Sequence, residues 1–391
     1  MIDFLSPLSQ DFICFVDDLS VSTIGKQIAM YTDGNDIPDL EHTFFALVGV
    51  RENRASDAVD IAEELNLEAV RKAFYGLYPG NWTHKIADIG DIPAGHTRED
   101  SMHALRAVVS ELLRLNVIPI ILGGPQDMSY GQYRGYNHLG RMVNITNIDS
   151  RFDIGNSDMP FNNKSYIGKI IVGEPFNLFN YAVLGYQSFL NPPEEIALMD
   201  KLYFDAYRLG DVTADISLAE PVFRNSDIVT LDVTAINANS MRYKNHNSPN
   251  GFDGREICAL ARYAGISNQV RSFGVYELAN TLKAESAMLV AQILWYFIEG
   301  VNFRMDDEDF QNESQYTTYV VPLEEEQINL IFLKSNKSER WWMELPFEGT
   351  ANKYSKQTLL PCTQQDYITA CNQEIPEKWL KARLKNEIYK Y

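Results

Sequence analysis

The sequence is poor in the residues that build local metal and redox motifs. Its four cysteines, Cys14, Cys258, Cys362 and Cys371, are widely scattered and form no CxxC pair, which excludes a zinc knuckle and gives no sign of a disulfide framework. Six histidines, His42, His84, His96, His103, His138 and His246, include no HxH or HxxxH pair. Any metal site must therefore rest on carboxylates. The nucleotide-binding patterns GxxxxGK and GxGxxG and the nucleophile elbow GxSxG are all missing, so nucleotide binding and serine hydrolysis have no local support. No run of about 18 apolar residues is present to span a bilayer. The opening MIDFLSPLSQDF has neither the basic start nor the apolar centre of a signal peptide. A cytoplasmic location is the expectation. Basic residues are also scarce, 34 against 53 acidic ones, and the formal charge of -19 repels phosphate backbones and anionic lipid. Neither nucleic acid nor a membrane surface is an expected partner.

What is present is globular: 391 residues, 45% hydrophobic and 12% aromatic, enough to bury a large core in one big domain with an appendage. Apolar runs that read as buried strands recur at Phe44 to Val50, Val117 to Leu122, Met142 to Ile148, Tyr181 to Leu184, Ile228 to Val233 and Val270 to Tyr276. Helical patterns alternate with them at Leu67 to Leu77, Asp100 to Leu115, Pro193 to Leu209, Gly254 to Tyr263 and Lys283 to Ile298. Strand, helix, strand repeated in this way predicts a three-layer α/β/α fold around a mostly parallel sheet. After residue 303 the chain turns acidic and polar, and then Tyr316 to Val321 and Ile328 to Leu333 read as antiparallel strands. The expected organisation is an N-terminal extension over 1–39, the α/β domain over 40–303 and a small β-containing extension over 304–391. Trp341, Trp342 and Trp379 in that extension read as packing anchors, and Asp306 to Asp309 as a solvated hinge.

In open parallel sheets the chemistry collects at the carboxyl ends of the strands. Three strand ends stand out. In VIPIILGGPQDMSYG, Gly123 and Gly124 permit a sharp turn and Pro125, Gln126 and Asp127 follow. In VNITNIDSRFDIG, continued strand alternation would place Asp149, Arg151 and Asp153 on one face. In DIVTLDVTAIN the same rule pairs Asp232 with Thr234.

These three segments, in this order and at these intervals, resemble the ureohydrolase family of arginases, agmatinases and formiminoglutamases. Its members carry Gly-Gly-Asp-His, Asp-Ala-His-x-Asp and Ser-x-Asp-x-Asp after successive strands and bind two manganese ions that activate a bridging hydroxide. FALVGVR at 45–51 and ADIGDI at 87–92 are similar to the family's early segments, and FGVYELAN at 273–280 to the late strand whose glutamate faces the substrate, here Glu277. Tyr133-Arg134-Gly135 and YAVLGYQ at 181–187 look most like the formiminoglutamase branch. The resemblance runs over about residues 40 to 300 and implies an arginase-like fold. It also implies assembly into homo-oligomers.

The departures fall on the ligands. Gln126 and Arg151 stand at the two histidine positions, and Thr234 at the last aspartate. Asp149, Asp153 and Asp232 survive. Three carboxylates facing the fixed charge of Arg151 leave room for at most one divalent ion. Carboxylates with the Gln126 amide would suit a hard cation, manganese, magnesium or calcium; alternatively the Arg151 guanidinium fills the pocket and no metal binds. The expected metal ligands are thus Asp149, Asp153, Asp232 and Gln126, with Glu277 and Arg151 as candidate catalytic or substrate-facing groups. A two-metal site works by acidifying a bridging water, and no histidine lies between His138 and His246, where arginases place a catalytic one. His138 and His246 themselves read as structural. The expectation is a ureohydrolase-fold pseudoenzyme acting as a binding or scaffold component, with a protein partner for the C-terminal extension. The alternative is a one-metal amidine or amide hydrolase.

Overall fold

Val-, Ile- and Leu-rich runs too apolar to face water on either side form the strands, and polar turns separate them. The computed structural model describes residues 1–54, 65–156, 159–243, 246–280, 282–345 and 359–388. Nine strands, β1 (Ala29–Met30), β2 (Phe45–Val50), β3 (Ile86–Ile92), β4 (Ile118–Leu122), β5 (Val143–Ile148), β6 (Leu178–Tyr186), β7 (Asp205–Arg208), β8 (Ile228–Asp232) and β9 (Ser272–Tyr276), build one sheet. Its order is β1-β3-β2-β4-β9-β8-β5-β6-β7, and every strand pairing in it is parallel. The helices are α1 (Gln10–Asp17), α2 (Glu68–Tyr75), α3 (Arg98–Arg114), α4 (Ser129–Arg134), α5 (Tyr166–Val172), α6 (Pro193–Lys201), α7 (Leu209–Ala214), α8 (Ala219–Arg224), α9 (Gly254–Ile266) and α10 (Ala284–Asn302). Two buried apolar clusters, one on each side of the sheet, make the expected three layers. Among the described residues no helix is long and apolar enough to cross a membrane.

Three local expectations are corrected. Helix α3 starts at Arg98, not Asp100, because Thr97 caps it and Asp100 closes the capping box from the third helical position. The single helix expected over Pro193 to Leu209 breaks into α6, the edge strand β7 and α7; Tyr203 takes a positive φ of 55° that no helix continues through. The run Asp306 to Asp309 is not simply a solvated hinge, since Asp307 is buried and accepts from Arg340 at 3.3 Å and from Ser338.

Residues 1–39 lie against the main sheet. Strand β1 pairs with β3, and Phe12 and Val16 of α1 enter its core. Beyond α10, strands β10 (Tyr316–Leu323), β11 (Ile328–Ser335), β12 (Trp341–Glu344) and β13 (Leu359–Cys362) form a separate antiparallel sheet, followed by α11 (Gln364–Cys371) and α12 (Glu377–Ile388). Arg224 of α8 ties the two parts together. Its guanidinium is buried, donates to the carbonyls of Trp341 at 3.1 Å and Cys362 at 3.0 Å, and sits 4.6 Å from the Trp342 ring. The tryptophans act as packing anchors: Trp341 and Trp379 belong to the second sheet's core, and Trp379 Nε1 donates to the Glu344 carbonyl at 2.8 Å.

Candidate functional site

Strands β4, β9, β8 and β5 are consecutive neighbours, so their carboxyl ends bring the Gly123 turn, Glu277, Asp232 and Asp149 to one stretch of the sheet edge. Gly123 and Gly124 take φ of 91° and 73°, a conformation that costs glycine little. The turn carries Gln126 back toward β8: its Nε2 donates to Tyr166 Oη at 3.1 Å and to Thr230 Oγ1 at 3.2 Å. Gln126 Oε1 is buried without a hydrogen-bond donor. Asp127 forms a buried ion pair with Arg98 at the start of α3.

The strand alternation expected past β5 and β8 stops at their ends. Asp149 Oδ1 accepts the backbone N–H of Arg151 at 2.9 Å, and Asp232 Oδ1 accepts that of Thr234 at 2.6 Å. Each aspartate thus closes a local turn on its own chain, the hydrogen bond that pulls Asp out of extended structure. Val233–Ala235 form a 3-10 turn and Asp153 has φ of 52°, so neither Arg151 nor Thr234 continues its strand face. Arg151 donates from Nη1 to the Leu190 carbonyl at 2.6 Å, and its charge opposes the upward push on the Asp149 and Asp153 carboxyls.

Asp149, Asp153 and Asp232 do converge, buried to 1%, 4% and 7% exposure. Burial pushes the Asp149 carboxyl well above the usual carboxylate range, and the charge of Asp153 adds to it. Burial does the same to Asp153, reinforced by Asp232, and to Asp232, reinforced by Asp149 and Glu277. The cause is the loss of water together with like charges close by. With the group ionised, Asp149 Oδ2 lacks a donor; a proton on Asp149 lets it donate to Asp153. Glu277, expected to face a substrate, is 1% exposed and already accepts from Gln126 N at 2.9 Å and Asn163 Nδ2 at 3.1 Å.

Sequence reasoning missed the polar support beneath these groups. Thr230 Oγ1 donates to Asn147 Oδ1 at 2.5 Å, and Asn147 Nδ2 donates to Tyr166 and Tyr181. Asn191 was missed as well: its Oδ1 accepts from Phe152 N at 2.8 Å, and its Nδ2 donates to the carbonyls of Ser150 at 3.0 Å and Gln187 at 2.9 Å. The available signal was Asn147 and Thr230 interrupting otherwise apolar buried strands. Nothing marked Asn191. His138 bonds the Gly135 carbonyl and Ser110, and His246 the Ile236 carbonyl, the structural roles expected of them. A cavity of about 640 Å³ adjoins the loop after Asp153, lined by Ile154, Gly155, Phe161, Ile171 and Leu198 among others.

The arginase family model matches residues 61–299. The chain belongs to the arginase family. Among curated family members it is 31% identical to the formimidoylglutamase of Hahella chejuensis over 147 residues, 34% of this chain but only 44% of that protein's length. It is 25% identical to the formimidoylglutamase of a Geobacillus strain over 247 residues, 59% of this chain and 74% of the relative. Among solved arginase-family structures, Trypanosoma cruzi formiminoglutamase with manganese superposes with a TM-score of 0.60 at 16% identity, covering 69% of this chain and all of that one. Bacillus subtilis formimidoylglutamase gives 0.58 at 17%, covering 70% and 97%. These likenesses establish the fold.

The family's two-ion centre can be tested against the side chains here. A cation would relieve the crowded carboxylates, and Asp149 Oδ2 and Gln126 Oε1 are buried acceptors without donors. Against this, Gln126, Arg151 and Thr234 offer none of the anionic or imidazole donors of such a centre. Among the described residues no three His, Cys, Asp or Glu side chains are arranged to hold a metal ion. The residues present do not fit a binuclear centre.

Proposed function

We propose that this chain is an arginase-family protein in which the binuclear hydrolytic centre is degraded, and that it acts as a binding or scaffold component without arginase, agmatinase or formiminoglutamase activity. The reading rests on Arg151: the residue at a histidine ligand position points its guanidinium at the Leu190 carbonyl, and Asn191 pins the backbone on either side of it. Rebuilding a bridged two-metal site would require that loop to be released. A hydroxide clamped between two ions is the source of the family's nucleophile, and no other group in this cluster would supply one. The cavity beside Ile154 and Gly155 offers a place for a bound ligand, and the C-terminal sheet offers a surface for a partner.

The test is turnover of formiminoglutamate, arginine and agmatine by the purified chain with manganese added, alongside measurement of metal content. Rates within the ordinary enzymatic range, roughly 1 to 1000 per second, overturn the reading. A second reading, a hydrolase of linear amidines or amides using one hard cation, is favoured by the orphan acceptors Asp149 Oδ2 and Gln126 Oε1. Saturable manganese uptake that Asp149→Asn abolishes would select it.

A further inference from the structure

Among the described residues, strand β10 of the C-terminal sheet pairs with β11 alone and forms the edge of that sheet. The phase of its ladder is fixed at both ends. Ahead of the strand, the Gln315 carbonyl accepts the Asn336 N–H at 2.9 Å, which extends the β10–β11 pairing by one step. Near its close stands Pro322, which has no N–H to give to β11. Backbone groups alternate sides along an antiparallel strand. Odd-numbered residues therefore face β11, while Thr318 and Val320, in step with Pro322, turn their N–H and carbonyl groups away from it. Among the described residues no hydrogen bond reaches those groups.

Gln373, just beyond α11, occupies this edge at one end as a neighbouring strand would. Its Nε2 donates to the Pro322 carbonyl at 3.0 Å, and its Oε1 accepts the Glu324 N–H at 3.1 Å. That plug leaves the rest of the strand open. Natural sheets blunt an open edge with charge, proline or a bulge. The segment Tyr316 to Val321, YTTYVV, carries no charge, glycine or proline, and its pairing with β11 has no register shift. Its aromatic and β-branched residues favour a strand partner. Thr317 and Thr318 are exposed, and Val320 is 57% exposed.

Charge lies instead at the two ends. Asp309 and Glu313 precede the strand, Glu324, Glu325 and Glu326 follow it, and all five are exposed. Two copies of β10 pairing about a two-fold axis would set the leading acids of one against the trailing acids of the other. A strand with basic ends meets attraction at both.

We propose that β10 is a strand-addition site for an extended segment of a partner protein, one with an uncharged β-branched centre and basic residues at either end. The segment adds as a fifth strand, bonding to the N–H and carbonyl groups of Thr318 and Val320. This rests on the partner surface proposed above for the C-terminal sheet. Binding is read without reference to turnover, so hydrolysis by the main domain would overturn the earlier reading and leave this one standing.

The experiment titrates the full chain by calorimetry with the end-blocked peptide Lys-Lys-Thr-Val-Thr-Val-Thr-Lys-Lys and with its counterpart carrying glutamate for each lysine. The expected result is one lysine-ended peptide per chain, bound more weakly as salt rises, with the Thr318 and Val320 amides gaining protection from hydrogen exchange and the glutamate-ended peptide not bound. Thr318→Pro removes one outward N–H at a position in step with Pro322, where β11 needs none, and should weaken binding about tenfold or more by leaving a peptide carbonyl without its donor. Replacing Glu324, Glu325 and Glu326 by glutamine touches only exposed side chains and should also weaken it, which tests the proposal even where the proline variant fails to fold. The absence of saturable binding overturns the proposal, as do equal affinity for the two peptides, binding without protection at Thr318 and Val320, and affinity unchanged in both variants. Self-association of the chain that Thr318→Pro abolishes means that a second copy occupies the edge, and overturns it equally.

Discussion

Arg151 Nη1 donates to the Leu190 carbonyl at 2.6 Å, while its charge opposes the upward push that burial gives the Asp149 and Asp153 carboxyls. The local turn at Asp149 starts the chain in that direction and the Asn191 side chain completes it. The guanidinium thereby satisfies a carbonyl of the loop, whose buried backbone donors and acceptors must be paired.

Crowded carboxylates without a cation make the site a source of instability. Asp153→Asn, which keeps the shape and removes one acid from the buried set, should raise stability by about 1–2 kcal/mol. Chemical denaturation of the wild type and the variant measures it. A loss of stability on this substitution would instead mean that Asp153 works as a ligand to a bound ion.

Asn191 holds the loop through three hydrogen bonds while 6% exposed. Asn191→Ala leaves the Phe152 N–H without its acceptor, while the Ser150 and Gln187 carbonyls keep the backbone N–H groups of Gln187 and Leu190, and should cost about 1–3 kcal/mol. Hydrogen exchange should show the Phe152 amide losing protection before the β5 amides do.

Arg224 is one of the ties between the main domain and the C-terminal sheet, beside Arg340 on Glu220. It pairs with Glu220 at 2.8 Å as well as holding two carbonyls of β12 and β13. Arg224→Ala removes the side-chain donor to both carbonyls and one of the two guanidinium groups on Glu220, which keeps Arg340 at 3.0 Å. A loss of about 3–5 kcal/mol is expected, with limited proteolysis cutting selectively after residue 303.

Docking of α12 should depend on pH through Lys385, which faces Asp205 on β7 and Lys378 and Lys381 on its own helix. Its folded value, about 8, lies below the unfolded 10.5. Below pH 8 both states carry the proton and the burial penalty is fully present. As pH rises from 8 toward 10.5 the folded state sheds its proton first, so stability increases, by on the order of 3 kcal/mol at the top of that window. Denaturation followed against pH measures the rise, and Lys385→Met should abolish it.

Much of this protein was legible in one dimension. Runs such as FALVGV and IPIIL are apolar on both faces and can sit only in the interior of a parallel sheet. The ligand motifs carried the family resemblance, and their substitutions at Gln126, Arg151 and Thr234 were plain to read. What the sequence could not reveal was the direction of each side chain after its strand ended. Extrapolating a two-residue period placed Arg151 with Asp149 and Asp153, and Thr234 with Asp232, but that period survives only while a neighbouring strand pairs the backbone. Past Ile148 and Asp232 the aspartate side chains capture nearby N–H groups, and Asn191, some forty residues on, pins the loop that results. The burial of Lys385 on α12 was hidden for a similar reason. Only the tertiary structure lays Lys385 against Asn180, because local pattern determines which face a residue occupies and only packing decides what that face meets.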